Sequence, residues 1–168
     1  IMIPLVGSVS EFKHQKKIIE KSAYAIQKNS DLKLKYKIGT MIELPRACLT
    51  ADEIAQDADF FSFGTNDLTQ TTFGFSRDDV SNVLSNYIEN KILTQDPFQS
   101  LDERGVGELV RLAVNKARTV NPKIKIGICG EHGGNPPSIE FLYRTGVDYI
   151  SCSPYRVPIA YLTLSQLA

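Results

Sequence analysis

Phe60-Phe61-Ser62-Phe63-Gly64-Thr65-Asn66-Asp67-Leu68 is the stretch on which the fold turns. Residues 60–64 form a short aromatic run, and an unbroken apolar run of strand length belongs to a strand covered on both faces. A glycine ends it, and Thr-Asn-Asp leads at once to a new apolar position at Leu68, so the spacing predicts a strand that turns directly into a helix. The same unit recurs outward in both directions. Ile1–Val6 reads as a strand ended by Gly7-Ser8. Residues 10–28 read as a helix with Phe12, Gln15, Ile19, Ser22, Ala23 and Ile26 on one face, closed by Asn29-Ser30-Asp31. Tyr36–Leu44 is the next strand, halted by Pro45. Thr50-Ala51-Asp52-Glu53 reads as a capping box opening a helix through Asp57. After Phe60–Gly64, residues 75–100 are the least regular part, broken by Arg77-Asp78-Asp79 and Asp96-Pro97. Leu109 to Ala117 mark a helix, Ile124–Ile128 a strand, Pro137–Thr145 a helix stopped by Gly146, Val147–Ser151 a strand, and Pro158–Gln166 a closing helix.

Buried strands alternating with helices imply an α/β fold with a parallel sheet. Two architectures compete, an open doubly wound sheet and a (β/α)8 barrel. No G-x-G-x-x-G follows any strand, which weakens the dinucleotide-binding version of the first. Polar residues gather at the C-terminal ends of the strands: Glu43, Asn66, Asp67, Cys129, Glu131 and Ser153. Both architectures place their sites at that edge.

Composition narrows the function classes. The 168 residues carry 19 Lys+Arg against 19 Asp+Glu, so no basic face argues for a nucleic-acid partner. No apolar run reaches membrane-spanning length, and the start lacks the basic region of a signal peptide. Three widely spaced cysteines without a CxxC suit a reducing cytoplasm, and two histidines cannot build the usual zinc spacings. The abrupt strand at Ile1 suggests that further chain precedes it.

Glu43 and Asp67 follow neighbouring strands, which lie about 4.8 Å apart. Their carboxylates can reach one point above the sheet, and two carboxylates suit Mg²⁺. The bland alternative is that Asp67 caps a helix starting at Leu68 while Glu43 pairs with Arg46. Gly64-Thr65-Asn66-Asp67 is a strand-to-helix turn that can receive an anion on its free N–H groups, or simply an ordinary turn. Cys129, in Gly127-Ile128-Cys129-Gly130-Glu131-His132-Gly133-Gly134, lies at another strand end, where a thiol can exchange a proton or serve as a small buried hydrophobe. Cys48, in a loop after Arg46, and Cys152 fit the hydrophobe reading better. A Cys129–His132 nucleophile–base pair is disfavoured by their spacing in a glycine-rich turn. The Phe60, Phe61, Phe63, Phe73 and Phe75 set reads as packing. His14 and the helix and loop arginines read as solvated, with Arg77 able to lean toward the site.

Three segments together are more specific than any one. Gly39-Thr40-Met41-Ile42-Glu43-Leu44-Pro45-Arg46-Ala47, Phe61-Ser62-Phe63-Gly64-Thr65-Asn66-Asp67-Leu68-Thr69-Gln70 and the Cys129 segment resemble the phosphoenolpyruvate-utilising family. The wording Cys129-Gly130-Glu131-His132-Gly133-Gly134, with Phe75–Asp79 and Ser151–Pro158, is similar to its dikinase branch; Asn135 departs from the aspartate usual there. The resemblance runs along essentially the whole chain. It implies that residues 1–168 are a partial phosphoenolpyruvate/pyruvate-binding domain, about strands four to eight of a (β/α)8 barrel, with the phosphohistidine and nucleotide-binding domains outside the chain. It implies Mg²⁺ held by Glu43 and Asp67, substrate contacts from Glu43, Gly64, Thr65, Asn66 and Asp67, and Cys129 as the acid/base at the pyruvate methyl carbon. The implied reaction is phosphoenolpyruvate + AMP + pyrophosphate ⇌ pyruvate + ATP + phosphate, through a histidine on a swivelling domain of the same protein. A cytoplasmic homodimer, inactive as the isolated chain, completes the expectation. The alternatives are a phosphoenolpyruvate synthase, a Mg²⁺-dependent malyl- or citramalyl-type lyase barrel, and a module serving dimerisation alone.

Overall fold

A computed structural model describes residues 1–30, 33–76 and 80–167. Its sheet has five parallel strands, β1 (Met2–Ile3), β2 (Gly39–Ile42), β3 (Phe60–Gly64), β4 (Lys125–Cys129) and β5 (Tyr149–Ile150), in the spatial order β1-β2-β3-β4-β5. The helices are α1 (Val9–Lys28), α2 (Pro45–Leu49), α3 (Ala51–Ala55), α4 (Thr65–Phe73), α5 (Val80–Glu89), α6 (Val106–Val120), α7 (Pro136–Thr145) and α8 (Val157–Leu167), with single 3-10 turns at Glu131–Gly134 and Pro154–Arg156.

Strand order decides between the two architectures. A doubly wound sheet reverses direction at a switch point. Here each connection steps to the next strand, as in a barrel wall, and five strands make an arc of the eight that a full barrel uses. The helices share one face: Ile42, Phe61, Phe63, Ile126 and Ile128 join Phe12, Ile54, Leu68, Val110 and Leu142 in a single core. Side chains alternate along a strand. The other face therefore carries Met41, Ser62, Gly127 and Tyr149 at one level and Glu43, Gly64 and Cys129 at the next, by the register Met41↔Ser62↔Gly127↔Tyr149 and Gly64↔Cys129.

Several elements differ from the sequence reading for local reasons. β1 stops at Ile3 because Pro4 has no N–H and Leu5 turns left-handed at φ 53. β2 starts only at Gly39, since the Ile38 N–H is spent on the Asp59 carboxylate at 2.7 Å. Pro45 both ends a strand and occupies the first position of α2, where its missing N–H does no harm. Cys48 therefore lies on a helix, not in a loop, and is fully buried. The capping box expected at Thr50 does not form. Its hydroxyl donates back to the Arg46 carbonyl at 3.0 Å. The reciprocal pair sits at Ser8 instead, whose Oγ accepts from Glu11 N at 3.3 Å while Glu11 Oε2 accepts from Gly7 N at 2.9 Å. The stretch expected to be irregular contains α5, which buries Val80 and Leu84 and sets Tyr87 edge-on to Phe75. Asp31 and Arg77-Asp78-Asp79 lie outside the described residues. Asn135 caps α7 by accepting from Ser138 N at 3.1 Å, the same role an aspartate fills there.

Candidate active site

The site is the rim where β2, β3 and β4 end. Glu43 is only 2% exposed, and its Oε1 accepts from the Leu5 N–H at 2.7 Å. The left-handed turn at Leu5 aims that N–H into the site, a conformation that stores roughly 1–2 kcal/mol at a non-glycine residue. Burial raises the Glu43 pKa, the Leu5 N–H opposes this, and the Asp67 charge together with a hydrogen bond between the two carboxyls adds to the rise. Two ionised carboxylates cannot share a hydrogen bond without a proton between them, and a cation relieves the same repulsion.

Asp67 lies in the first turn of α4, but the helix starts at Thr65 and is capped by Gly64 without a side-chain bond. The capping alternative for Asp67 therefore fails. So does the Glu43–Arg46 pair, because Arg46 donates to the Gly7 carbonyl. Gly64 is required by the space around it. A Cβ there would lie 2.3 Å from Glu43 Oε2 and 2.7 Å from the Met41 methyl. The missing side chain leaves room for the carboxylate to fold over β3 toward Asp67.

Cys129 stands level with Gly64 on the other side, its thiol donating to the Phe63 carbonyl at 3.6 Å. With one strand between them, Glu43 and Cys129 flank Gly64 at about 4.8 Å per strand spacing. Thr65 is fully buried beneath the same turn, and the Asn66 Oδ1 is buried without a hydrogen-bond partner, facing the Gly130 turn. Glu43, Gly64, Thr65, Asn66, Asp67 and Cys129 thus lie together where β2, β3 and β4 end, whereas Glu131 and Ser153 line a cavity past β5. Among the described residues no group of three or more His, Cys, Asp or Glu is placed to hold a metal ion, and the acidic side chains at this rim are Glu43 and Asp67.

As the spacing implies, His132 does not approach Cys129 as a base. It is completely buried, with Nδ1 2.7 Å from Thr65 Oγ1 and Nε2 2.8 Å from the Pro97 carbonyl. In the sequence it reads only as a disfavoured partner for Cys129, and the Asp96-Pro97 dipeptide only as a breaker; their separation along the chain hides the link. Cys152 is half-buried, beside Glu131 and Arg156 on a cavity of about 210 Å³ past β5, so it is less of a core residue than Cys48. Phe61 and Phe63 are core, whereas Phe73 and Phe75 stack on each other at 5.3 Å. His14, Arg104, Arg111 and Arg144 are exposed as expected.

An arc of barrel wall whose acids and thiol gather at the strand C-termini has the layout of a barrel enzyme's mouth. The family follows from comparison: residues 1–168 match the family described as PEP-utilising enzyme, PEP-binding domain, and the chain belongs to it. It is 56% identical over 167 residues to pyruvate, phosphate dikinase 2 of Zea mays, covering 99% of this chain and 19% of that protein. It is 56% identical over 168 residues to pyruvate, phosphate dikinase of Clostridium symbiosum, covering 100% and 19%. A chloroplastic pyruvate, phosphate dikinase 1 of Arabidopsis thaliana is 54% identical over 167 residues, covering 99% and 17%. The chain thus spans about a fifth of the length of these relatives.

Proposed function

We propose that residues 1–168 form the phosphoenolpyruvate/pyruvate-handling part of a pyruvate, phosphate dikinase, with the phosphohistidine and nucleotide-binding domains elsewhere in the protein. The observation that carries this reading is the level row Glu43, Gly64, Cys129, with Asp67 in contact with Glu43. Glu43 and Asp67 would hold a Mg²⁺ ion, and the raised pKa that burial and the Asp67 charge give Glu43 is the strain such an ion would relieve. When bound, the ion supplies Lewis-acid stabilisation of negative charge on a substrate oxygen.

The protein's own residues account for the remaining roles. The Gly64–Asp67 turn presents free N–H groups at the start of a nine-residue helix to an anionic substrate. Loss of the phosphoryl group to a histidine of the swivelling domain leaves an enolate. Cys129 then delivers its proton to the methylene carbon, and in the reverse direction the thiolate removes one from the pyruvate methyl group. The lyase alternative gives no role to a thiol at the end of β4. Three free cysteines suit a reducing compartment, and we place the protein in the cytoplasm.

The decisive experiment is Cys129→Ala in the full-length protein. Pyruvate formation is lost, while exchange between nucleotide and the phosphohistidine persists. Equal loss of both half-reactions would make Cys129 structural and sink the assignment. The isolated chain is expected to turn over no phosphoenolpyruvate and to self-associate, because Tyr155 (93% exposed) in the turn before α8, Tyr161 and Leu162 on α8, and Ile1 and Leu5 at the other end of the sheet are uncovered. A monodisperse monomer in sedimentation would contradict the second point.

A further inference from the structure

We propose that His132 is a positioning residue for the proton transfer, fixing the direction of the Thr65 hydroxyl and the seat of the Cys129 turn; this rests on the reading of Cys129 given above. Donor and acceptor identities set the state of the ring. The Pro97 carbonyl can only accept, so Nε2 carries the ring proton and donates at 2.8 Å. Nδ1 is then a bare lone pair, and at 2.7 Å the Thr65 hydroxyl must donate to it. Complete burial of both residues leaves no water to exchange for either bond. The ring's environment agrees, since burial lowers the His132 pKa against the opposing effects of the Pro97 carbonyl, Asp96 and Glu131.

Two consequences reach the site. With the ring in this state the Thr65 proton goes to His132 at 2.7 Å in preference to the Cys129 carbonyl, the other acceptor in reach at 3.4 Å, so towards an anionic substrate Thr65 offers its backbone N–H and only an accepting oxygen. The same ring ties three separate pieces together: the turn after β3, the turn after β4, and the 96–98 loop. The β4 turn has little freedom otherwise. Gly130 sits at φ 115, and a Cβ at Gly133 would lie 2.3 Å from the Ser151 carbonyl. A second pin fixes the loop nearby, where Leu101 N donates to Ser138 Oγ at 3.0 Å. Cys129 enters this braced turn directly from β4 and therefore takes its height above Gly64 from it.

The test measures deuterium uptake into the pyruvate methyl group in D₂O, by NMR, with the full-length protein and added Mg²⁺. His132→Gln keeps a donor near Nε2 and removes the acceptor at Nδ1. His132→Asn keeps an acceptor near Nδ1 and loses the donor. Thr65→Val removes the hydroxyl, and Thr65→Ser restores it. Misplacing a reacting group by about 1 Å costs up to about 10²-fold in rate. Uptake at saturating pyruvate should therefore fall about 10- to 100-fold in His132→Gln and Thr65→Val, with KM little changed, and recover in Thr65→Ser. His132→Asn should fall between. Nucleotide–phosphohistidine exchange should persist in all four, and His14→Gln should match wild type throughout. Wild-type uptake in His132→Gln and Thr65→Val, with uptake abolished in Cys129→Ala, would overturn the positioning role alone. Parallel loss of nucleotide exchange would overturn it too, as mere structural damage. Uptake that survives in Cys129→Ala would instead overturn the underlying reading of the site.

Discussion

Gly64→Ala tests whether the rim is built around an absent side chain. The new Cβ would meet Glu43 Oε2 at 2.3 Å, the Met41 methyl at 2.7 Å and Glu43 Cβ at 2.9 Å. The Met41 methyl ends a flexible chain and can swing away. The Glu43 carboxylate cannot move without giving up the Leu5 N–H that it holds at 2.7 Å. Losing a hydrogen bond to a charged group costs about 1.5–3 kcal/mol. Forcing a methyl into a packed site costs about 1–3 kcal/mol more. Alanine at φ −88 is unstrained and returns about 0.4–1 kcal/mol by restricting the unfolded chain. The net loss is about 1.5–5.6 kcal/mol. Hydrogen exchange of the β2 and β3 amides in the full-length protein reads this as faster local opening, tenfold per 1.4 kcal/mol. In a Glu43→Ala background the nearest clash is gone, so the same substitution should cost at least about 1 kcal/mol less, a coupling within the range for contacting residues. Equal costs in the two backgrounds would refute the claim that Glu43 occupies the space over Gly64. Pyruvate formation should fall with Gly64→Ala in the wild-type background, since the displaced carboxylate leaves Asp67.

Other consequences can be checked separately. Gly127→Ala would drive a Cβ to within 2.1 Å of the Tyr149 ring, which lies flat over that glycine; about 1–3 kcal/mol of destabilisation in thermal unfolding is expected, and none would mean the ring is free to leave. Added Mg²⁺ should raise the unfolding midpoint, by about 2.7 kcal/mol at a hundredfold excess over its dissociation constant; Glu43→Gln should abolish that gain, and an undiminished gain would place the ion elsewhere. The pKa of His132 is depressed in the folded state, so the unfolded chain takes up the proton first. Stability should accordingly fall as pH drops below about 6.5, the ordinary histidine value, and level off once the native ring is protonated. His132→Gln should flatten that limb in unfolding midpoints measured across it, and an unchanged slope would mean that other groups produce it. Ser8→Ala should cost about 1 kcal/mol through the lost cap of α1, seen as a lower unfolding midpoint.

Much of the fold was legible in the sequence because its signals are local. Phe60–Gly64 is apolar and β-prone with a glycine at its end, and the strand has those very bounds. Glu43, Asp67 and Cys129 could be placed at one rim because parallel strands bring their C-terminal ends to one edge. What stayed hidden depends on partners far along the chain. Nothing local at Leu5 announces that its N–H serves Glu43, 38 residues away. Thr50 has the composition of a cap, but the turn from α2 uses its hydroxyl first. Val80–Glu89 lies beside charged and proline-broken segments, and its helical character depends on burying Val80 and Leu84.

Why acids and a thiol coexist at this rim follows from what each neighbour supplies. A carboxylate 2% exposed is unfavourable unless something compensates it. Leu5 supplies one hydrogen bond at the expense of a left-handed backbone, and Asp67, which ought to be kept distant, is instead held in contact. A fold selected for stability alone would separate two like charges; one that keeps them close, with a strained residue supporting the arrangement, stores unfavourable energy that the proposed cation would release. On the far side of Gly64, the Cys129 thiol donates to the Phe63 carbonyl at 3.6 Å, a weak bond that holds it level with the glycine. The two carboxyls thus sit on one side of Gly64 and the thiol on the other, the separation that the proposed metal-holding and proton-donating roles call for. That division requires the middle position to be glycine, because any Cβ there would collide with the Glu43 carboxylate at 2.3 Å and push it off Asp67.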